Sequence, residues 1–200
     1  GKMLLRTDDL TLRTSKTERF LEITKDVPVM CATQPKDILD NLDDVDSVIP
    51  LVKKYKNITI VQHGYDHINR AKDDEKKCEF PSSRNLNDSI SDIIKGKKIL
   101  EDNFKKQFYP VFVPPWNRFG HNYQILSEVG FIGYEDDDEV LDMQPKRGWI
   151  DNDYFWRKIQ TDDTIHSLMF HHEWMTDEQF EFLEELIESG VIQWKSIRES

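Results

Sequence analysis

The run Met3-Leu4-Leu5-Arg6-Thr7-Asp8-Asp9 begins with apolar residues and ends in two adjacent aspartates. Other short, mostly apolar runs recur along the chain, and segments with helical spacing separate them. Strands that are apolar on both faces and alternate with helices are typical of a parallel sheet built from right-handed βαβ units. The predicted strands are 3–7, 27–32, 58–63, 111–113, 131–134, 148–150, 164–171 and 191–194. The sequence therefore predicts an α/β fold, with either an open doubly wound sheet or a closed barrel.

Helical patterns occupy segments between these strands. Ser15-Lys16-Thr17-Glu18 has the form of a capping box and predicts a helix over 15–24. Apolar residues at helical spacing predict further helices over 48–55 and 86–104. Thr176-Asp177-Glu178-Gln179 is a second capping box, and Gly190 is a suitable residue to end the helix that it begins.

Several common types of site lack support, because their motifs are missing. Neither GxGxxG nor GxxxxGK[ST] occurs, so a nucleotide-binding function has no support. A GxSxG turn is also missing, so a serine hydrolase would lack its nucleophile. Cys31 and Cys78 are the only cysteines, which excludes a disulfide scaffold and makes a cysteine-based metal site improbable.

Composition indicates one folded domain over residues 1–200, since 38% of the residues are hydrophobic and 11% are aromatic. The formal net charge of −11 argues against nucleic acid and anionic membranes as main partners, because both require a basic surface.

No apolar run approaches the roughly 20 residues of a membrane span. No export signal is visible, so we expect a cytoplasmic protein, with a processed exported protein as the alternative. The sequence indicates no oligomeric state.

Polar residues cluster where the predicted strands end. Asp8 and Asp9 follow the first strand, and Gln62-His63-Gly64-Tyr65-Asp66-His67 follows the apolar part of the third. Val113-Pro114-Pro115-Trp116-Asn117-Arg118 follows the fourth strand, and His171-His172 ends a late one. Because the carboxyl ends of parallel strands share one rim, the fold would bring these residues together.

The spacing of His63 and His67 indicates a metal site. The two residues are four apart, so a helix beginning after the third strand would point both imidazoles the same way. A carboxylate from Asp8 or Asp9 would complete a His₂Asp site with open positions for water, as in catalytic zinc sites. The alternative is that both histidines cap or hydrogen-bond a helix start, but the neighbouring aspartates favour the metal. Zinc is the expected ion, and Co²⁺ or Ni²⁺ would suit the same ligands.

Taken in order, these segments resemble the motifs of the polysaccharide deacetylases, the NodB-homology enzymes of carbohydrate esterase family four. The matching segments are Thr7-Asp8-Asp9, His63-Gly64-Tyr65-Asp66-His67, Pro114-Pro115-Trp116-Asn117 and the late His171. The resemblance covers almost the whole chain and implies a distorted parallel (β/α) barrel, which in that family often has seven strands. It also implies a metal-dependent hydrolase that removes the N-acetyl group of an amino sugar or polysaccharide, with metal-bound water as the nucleophile.

The resemblance implies roles for particular residues. Asp8 matches the family's catalytic base, and His171 matches the histidine that acts as general acid. The family's metal triad corresponds to Asp9, His63 and His67. The substrate is then a carbohydrate and the cofactor a divalent metal ion.

Two aromatic residues and a second histidine complete the candidate site. Trp116 falls where the family usually has a tyrosine whose backbone N–H helps to hold the oxyanion, and Tyr65 and Trp116 could stack on sugar rings. His172 is the rival of His171 for the acid role. Strand alternation puts the two side chains on opposite faces but does not show which face lines the site.

Two departures from the family pattern affect the expected chemistry. An arginine commonly precedes the two prolines and supports the base, but Val113 stands there, and Arg118 or Arg147 could substitute for it. Arg118 could equally have a surface role. The acidic run 135–139 is either a solvated loop or a surface that faces a cationic amino sugar.

Two other functions stay open from the sequence. One is hydrolysis of another carbon–nitrogen amide bond on the same fold. The other is a catalytically silent domain that binds metal or carbohydrate, which the valine at position 113 favours. Neither the particular glycan nor its form, whether polymeric, free or carrier-linked, can be read from the sequence.

Overall fold

The structure is a computed structural model that describes residues 2–135, 140–143 and 166–199. The strands are β1 (Lys2–Asp8), β2 (Val29–Thr33), β3 (Ile58–Gln62), β4 (Phe108–Phe112), β5 (Gly133–Tyr134), β6 (Val140–Asp142), β7 (Ser167–Phe170) and β8 (Gln193–Lys195). All their pairings are parallel. Seven strands follow the order β5-β4-β3-β2-β1-β7-β6, and β8 pairs with the beginning of β1. This curled sheet with its helices confirms the distorted parallel (β/α) barrel.

The helices are α1 (Ser15–Ile23), α2 (Pro35–Asp40), α3 (Ile49–Lys53), α4 (Leu86–Phe104), α5 (Gln124–Glu128) and α6 (Asp177–Ser189). The predicted capping box at Thr176 is present, and Gly190 ends α6 in a left-handed conformation with φ of +69°. The box predicted from Ser15 is wrong by one residue. Thr14 is the cap, because its hydroxyl accepts the backbone N–H of Thr17. Within the described part of the chain, no helix is long and apolar enough to cross a membrane.

Most predicted strands are present with shifted ends. The predicted fourth strand begins earlier, because Phe108 already pairs with β3. β6 was not predicted, since three residues beside an acidic run give little apolar pattern. The predicted strand 148–150 and residues 164–165 lie outside the described residues.

The two faces of the sheet bury different side chains. Outward-facing residues such as Leu5 and Leu168 pack with apolar residues of the helices, including Phe20 of α1 and Leu183 of α6. The inner face holds a smaller apolar cluster, comprising Met30, Ala32, Val61, Val111 and Val113. Because the strands are parallel, the residues that follow β1, β3, β4 and β7 meet at one end of the barrel.

Candidate active site

Asp9, His63 and His67 converge after β1 and β3. One potential ligand atom from each lies within 4.8 Å of the other two. Asp9 Oδ1 is 3.5 Å from His63 Nε2 and 3.8 Å from His67 Nε2. Two imidazole nitrogens and a carboxylate oxygen gathered in this way fit a divalent cation.

His63 is held in the orientation that a metal ligand needs. It follows β3 directly, and its ring Nδ1 lies 2.8 Å from the carbonyl oxygen of Val113. An N–H at Nδ1 donates to that carbonyl, so the lone pair of Nε2 faces Asp9. Burial lowers the pKa of His63, because it disfavours the charged ring, and this favours the neutral imidazole that binds metals.

Asp9 has a left-handed backbone conformation with φ of +62°, which is uncommon outside glycine. The side-chain amide of Gln34 donates to Asp9 Oδ1 at 2.6 Å. This contact fixes the carboxylate where the chain turns out of β1. Asp8 and Asp9 therefore have different surroundings, since only Asp9 belongs to the cluster with His63 and His67.

The helix considered as a way to align His63 and His67 does not form after β3. Residues 63–67 form an irregular loop, in which Gly64 and His67 both have left-handed backbones, with φ of +65° and +59°. The imidazole rings of His63 and His67 nevertheless lie 4.9 Å apart between centroids. The loop, rather than one helical turn, brings the two histidines together.

Glu79, which the sequence did not single out, organises this loop. Its side chain is fully buried. Oε1 accepts the backbone N–H of His67 at 2.9 Å, and Oε2 accepts the N–H groups of Tyr65 at 2.9 Å and Asp66 at 3.3 Å. A Cβ at Gly64 would lie 2.2 Å from Glu79 Oε1, so the close approach also requires glycine there. Burial and the Asp66 carboxylate raise the pKa of Glu79 to about 8, although the three amide donors oppose that rise.

Asp8 forms a buried, bidentate ion pair with Arg6 of the same strand. Arg6 Nε donates to Asp8 Oδ1 at 2.7 Å, and Nη2 donates to Oδ2 at 2.8 Å. Burial alone would raise the pKa of Asp8, but the Arg6 guanidinium and the nearby His63 hold it well below its usual range. Asp8 is therefore a carboxylate at neutral pH.

Arg6 belongs to a polar network inside the barrel. It also donates to Glu135 Oε2 at 3.2 Å and to Asn117 Oδ1 at 3.1 Å, and Ser167 donates to the other oxygen of Glu135. Burial would lower the pKa of Arg6, but Asp8 and Glu135 raise it above its ordinary value. Arg6 of β1 thus makes the contact with Asp8 that was expected of an arginine at position 113. The sequence signal for this contact was Arg6 itself, because it is a charged residue within an apolar predicted strand.

Of the two arginines considered for that role, only Arg118 lies among the described residues, where it forms no ion pair with Asp8. Arg118 donates to the backbone oxygen of Lys77 at 3.1 Å and lines the cavity into which Asp8 and Asp9 open. Arg147 lies outside the described residues. Val113 packs inside the barrel, and its carbonyl holds His63.

His171 and His172 point to opposite faces of the sheet. His171 Nε2 lies 3.8 Å from Asp8 Oδ2 and 3.9 Å from Asp9 Oδ2. Its ring stacks on Trp174, with centroids 4.6 Å apart and planes 10° apart. His172 is buried on the outer face, where Nδ1 lies 2.8 Å from the Thr7 hydroxyl. The geometry therefore places His171, and not its rival, beside the carboxylates.

These groups open into a cavity of about 690 Å³. The Trp116 ring lies 4.4 Å from the His67 ring, and Trp116 and Asn117 have positive φ values of 55° and 54°. Tyr65 does not line this cavity; its backbone instead contacts Glu79 and the N–H of Lys36. Trp116 therefore lies at the candidate site, whereas Tyr65 lies outside the cavity lining. Of the acidic run, residues 136–139 lie outside the described part.

No family sequence profile matches the chain, and no curated protein matches it by sequence. Solved structures do match it. The Bc1960 peptidoglycan N-acetylglucosamine deacetylase is 12% identical, with a TM-score of 0.69 over 99% of this chain and 86% of that one. A family 4 carbohydrate esterase from Streptomyces lividans, in complex with acetate, is also 12% identical, with a TM-score of 0.64 over 98% and 93%. A BA3943 mutant, described as a CE4 family pseudoenzyme, is 16% identical, with a TM-score of 0.69 over 100% and 67%. The chain therefore has the fold of the carbohydrate esterase family 4 deacetylases, as its motifs suggested.

Proposed function

We propose that this protein is a metal-dependent deacetylase that hydrolyses the N-acetyl group of an amino sugar or polysaccharide. The observation that carries the proposal is the convergence of the Asp9, His63 and His67 cluster with Asp8 and His171 in one cavity. The fold shared with carbohydrate deacetylases supports a carbohydrate substrate.

The Asp9, His63 and His67 cluster would hold the divalent ion, with zinc expected and Co²⁺ or Ni²⁺ also suited to the donors. When bound there, such an ion supplies a Lewis acid that polarises the acetamide carbonyl and makes water more acidic. Side chains and backbone groups of this chain would carry out the proton transfers and stabilise the oxyanion.

Asp8 is positioned to accept the proton of the attacking water. Its Oδ2 lies 3.8 Å from both His63 Nε2 and His171 Nε2, at the centre of the polar groups. The bidentate contact with Arg6 fixes the carboxylate and keeps it ionised. A fixed, ionised carboxylate next to the water position is the requirement for a general base.

His171 is positioned to protonate the departing amine. Its ring faces the carboxylates, and stacking on Trp174 limits its rotation. The backbone N–H of Trp116 is proposed to donate to the oxyanion of the tetrahedral intermediate. The products would be acetate and the free amino sugar.

A catalytically silent domain is the second candidate, because the same fold occurs in a protein described as a pseudoenzyme. The valine at position 113 favoured this alternative. Arg6 weakens it, since an arginine does contact the base carboxylate. Hydrolysis of a non-sugar amide remains the alternative within the same chemistry.

One experiment separates these candidates. The purified chain is stripped with a chelator, reloaded with zinc, cobalt or nickel, and incubated with N-acetylated sugars, N-acetylated polysaccharides and small amides. Acetate release from the sugars only after reloading is the expected result. Release from the small amides alone would favour the other hydrolase. Stoichiometric metal without any release would favour the silent domain.

A further inference from the structure

A second cavity, of about 770 Å³, lies at the opposite end of the barrel from Asp9. Its wall includes Pro28 just before β2, Ile58 at the first position of β3 and Gln107 just before β4. Ser196 and Arg198 of the C-terminal segment also line it. The cavity is thus separate from the deacetylase site, and its volume suits a small organic ligand.

The charge around this cavity is opposite to that of the whole chain. Its cationic lining residues are Lys25, Lys53, Lys56, Lys105, Lys106 and Arg198. Asp26 is the only acidic residue in the described lining, whereas the complete chain carries a net charge of −11. A local concentration of positive charge creates a positive electrostatic potential, which attracts anions.

Most of these cations have no acidic partner among the described residues. Lys25 pairs with Glu22 at 2.7 Å, and Arg198 donates to Thr59 and to the carbonyl of Lys106. The other four lysines have no carboxylate of the described residues within 4.0 Å. Their ammonium groups therefore remain available to an anion, and lysine is a common ligand of phosphate.

Part of the cavity lining is apolar. Val27 and Pro28 are half-buried and present apolar surface, whereas Ile58 and Phe104 are almost completely buried. An inorganic anion would leave this surface without a partner, whereas an organic anion could cover it. Nucleic acid and anionic membranes fit less well, because the strongly acidic remainder of the chain would repel them.

We propose that this second cavity binds a small organic phosphate, with the phosphate groups among the lysines and an apolar or planar part against Val27 and Pro28. The proposal does not depend on the deacetylase activity. Adenosine diphosphate is a suitable probe, because it joins two phosphates to a planar ring.

Isothermal titration calorimetry on the full chain tests the proposal, with adenosine diphosphate, inorganic phosphate and a short DNA duplex as titrants. We expect saturable binding of one adenosine diphosphate per chain, tighter than binding of inorganic phosphate or DNA. Lys53→Gln/Lys106→Gln should weaken it by about tenfold or more, because charge-assisted contacts to phosphate are lost. Lys95→Gln/Lys98→Gln, which removes the same charge from the exposed surface of α4, is the matched control and should leave binding unchanged.

A His67→Ala variant distinguishes this cavity from the proposed metal site, since diphosphates also bind metals. Binding should persist in that variant. Absence of saturable binding, equal weakening by the two double substitutions, or loss of binding in His67→Ala would each overturn the proposal. Tighter binding of DNA, or equally tight binding of inorganic phosphate, would overturn the assignment of an organic phosphate.

Discussion

The residues of β1 alternate between the outer and inner faces of the sheet, and the two faces carry different kinds of side chain. On the outer face, Leu5 packs in the core beneath the helices, and the Thr7 hydroxyl contacts His172. On the inner face, Arg6 and Asp8 form a buried ion pair, and Asp8 lies at the carboxyl end of β1, beside the candidate site. The comparison indicates that the outer residues contribute packing and that the inner residues carry the charged groups of the proposed reaction. Substitutions on the two faces should therefore differ in their effect on turnover.

Asp8→Asn should give the largest effect on turnover. We expect kcat to fall by about 10²–10⁴-fold, because the general base is lost, while metal content is retained because Asp9 belongs to the metal cluster. Steady-state kinetics and metal analysis check this. The matched outer-face control is Leu5→Ala, which should lower the free energy of unfolding by about 2–5 kcal/mol with kcat of the folded protein little changed. Comparable kcat losses in both variants would contradict the division between the faces.

Arg6→Met should show that the inner ion pair also supports the fold. It leaves Asp8 and Glu135 without their buried cation, and breaking such a pair costs about 3–5 kcal/mol. Because Arg6 holds the pKa of Asp8 low, its loss should also move the acidic limb of the kcat/KM profile to higher pH. Urea unfolding and a pH series measure the two effects, with Arg6→Lys as the charge-conserving control. An unchanged pH profile would show that Arg6 does not set the ionisation of Asp8.

His171 and His172 provide a matched pair across the same two faces. His171→Gln should lower kcat by about 10²-fold or more with little change in unfolding. His172→Gln should lower the free energy of unfolding by about 1–3 kcal/mol, because its buried contact with Thr7 is lost, and kcat of the folded protein should stay near that of the wild type. Kinetics and urea unfolding on both variants make the test. The reverse pattern would assign the acid role to His172.

Glu79→Gln should have a smaller effect, confined to the loop that carries His67. An amide replaces an acceptor oxygen with a donor, so at least one of three backbone contacts is lost. Zinc affinity should fall by about 10–100-fold, as is common when a ligand's supporting contact is removed. Glu75→Gln is the control, because Glu75 is exposed in the same connection. Equal zinc affinities for the two variants would remove this role from Glu79.

The sequence predicted the outer-face architecture better than the inner-face contacts. Helix α6 and its cap were predictable because Thr176, Gln179 and Gly190 act within a few residues of one another. The Arg6 network was not, since Arg6 and Glu135 are 129 positions apart and strand alternation does not show which face lines the inside of the barrel. The histidine loop likewise depends on Glu79, whose contacts span 12 to 14 positions and follow no local pattern.

The central claim is that Asp9, His63 and His67 share one divalent ion. Crystals grown with zinc, with diffraction measured on both sides of the zinc absorption edge, test it most directly. We predict one anomalous peak, bonded to Nε2 of both histidines and to an Asp9 oxygen at about 2.0–2.2 Å. Well-ordered density for all three side chains with no peak among them, at saturating zinc, would contradict it.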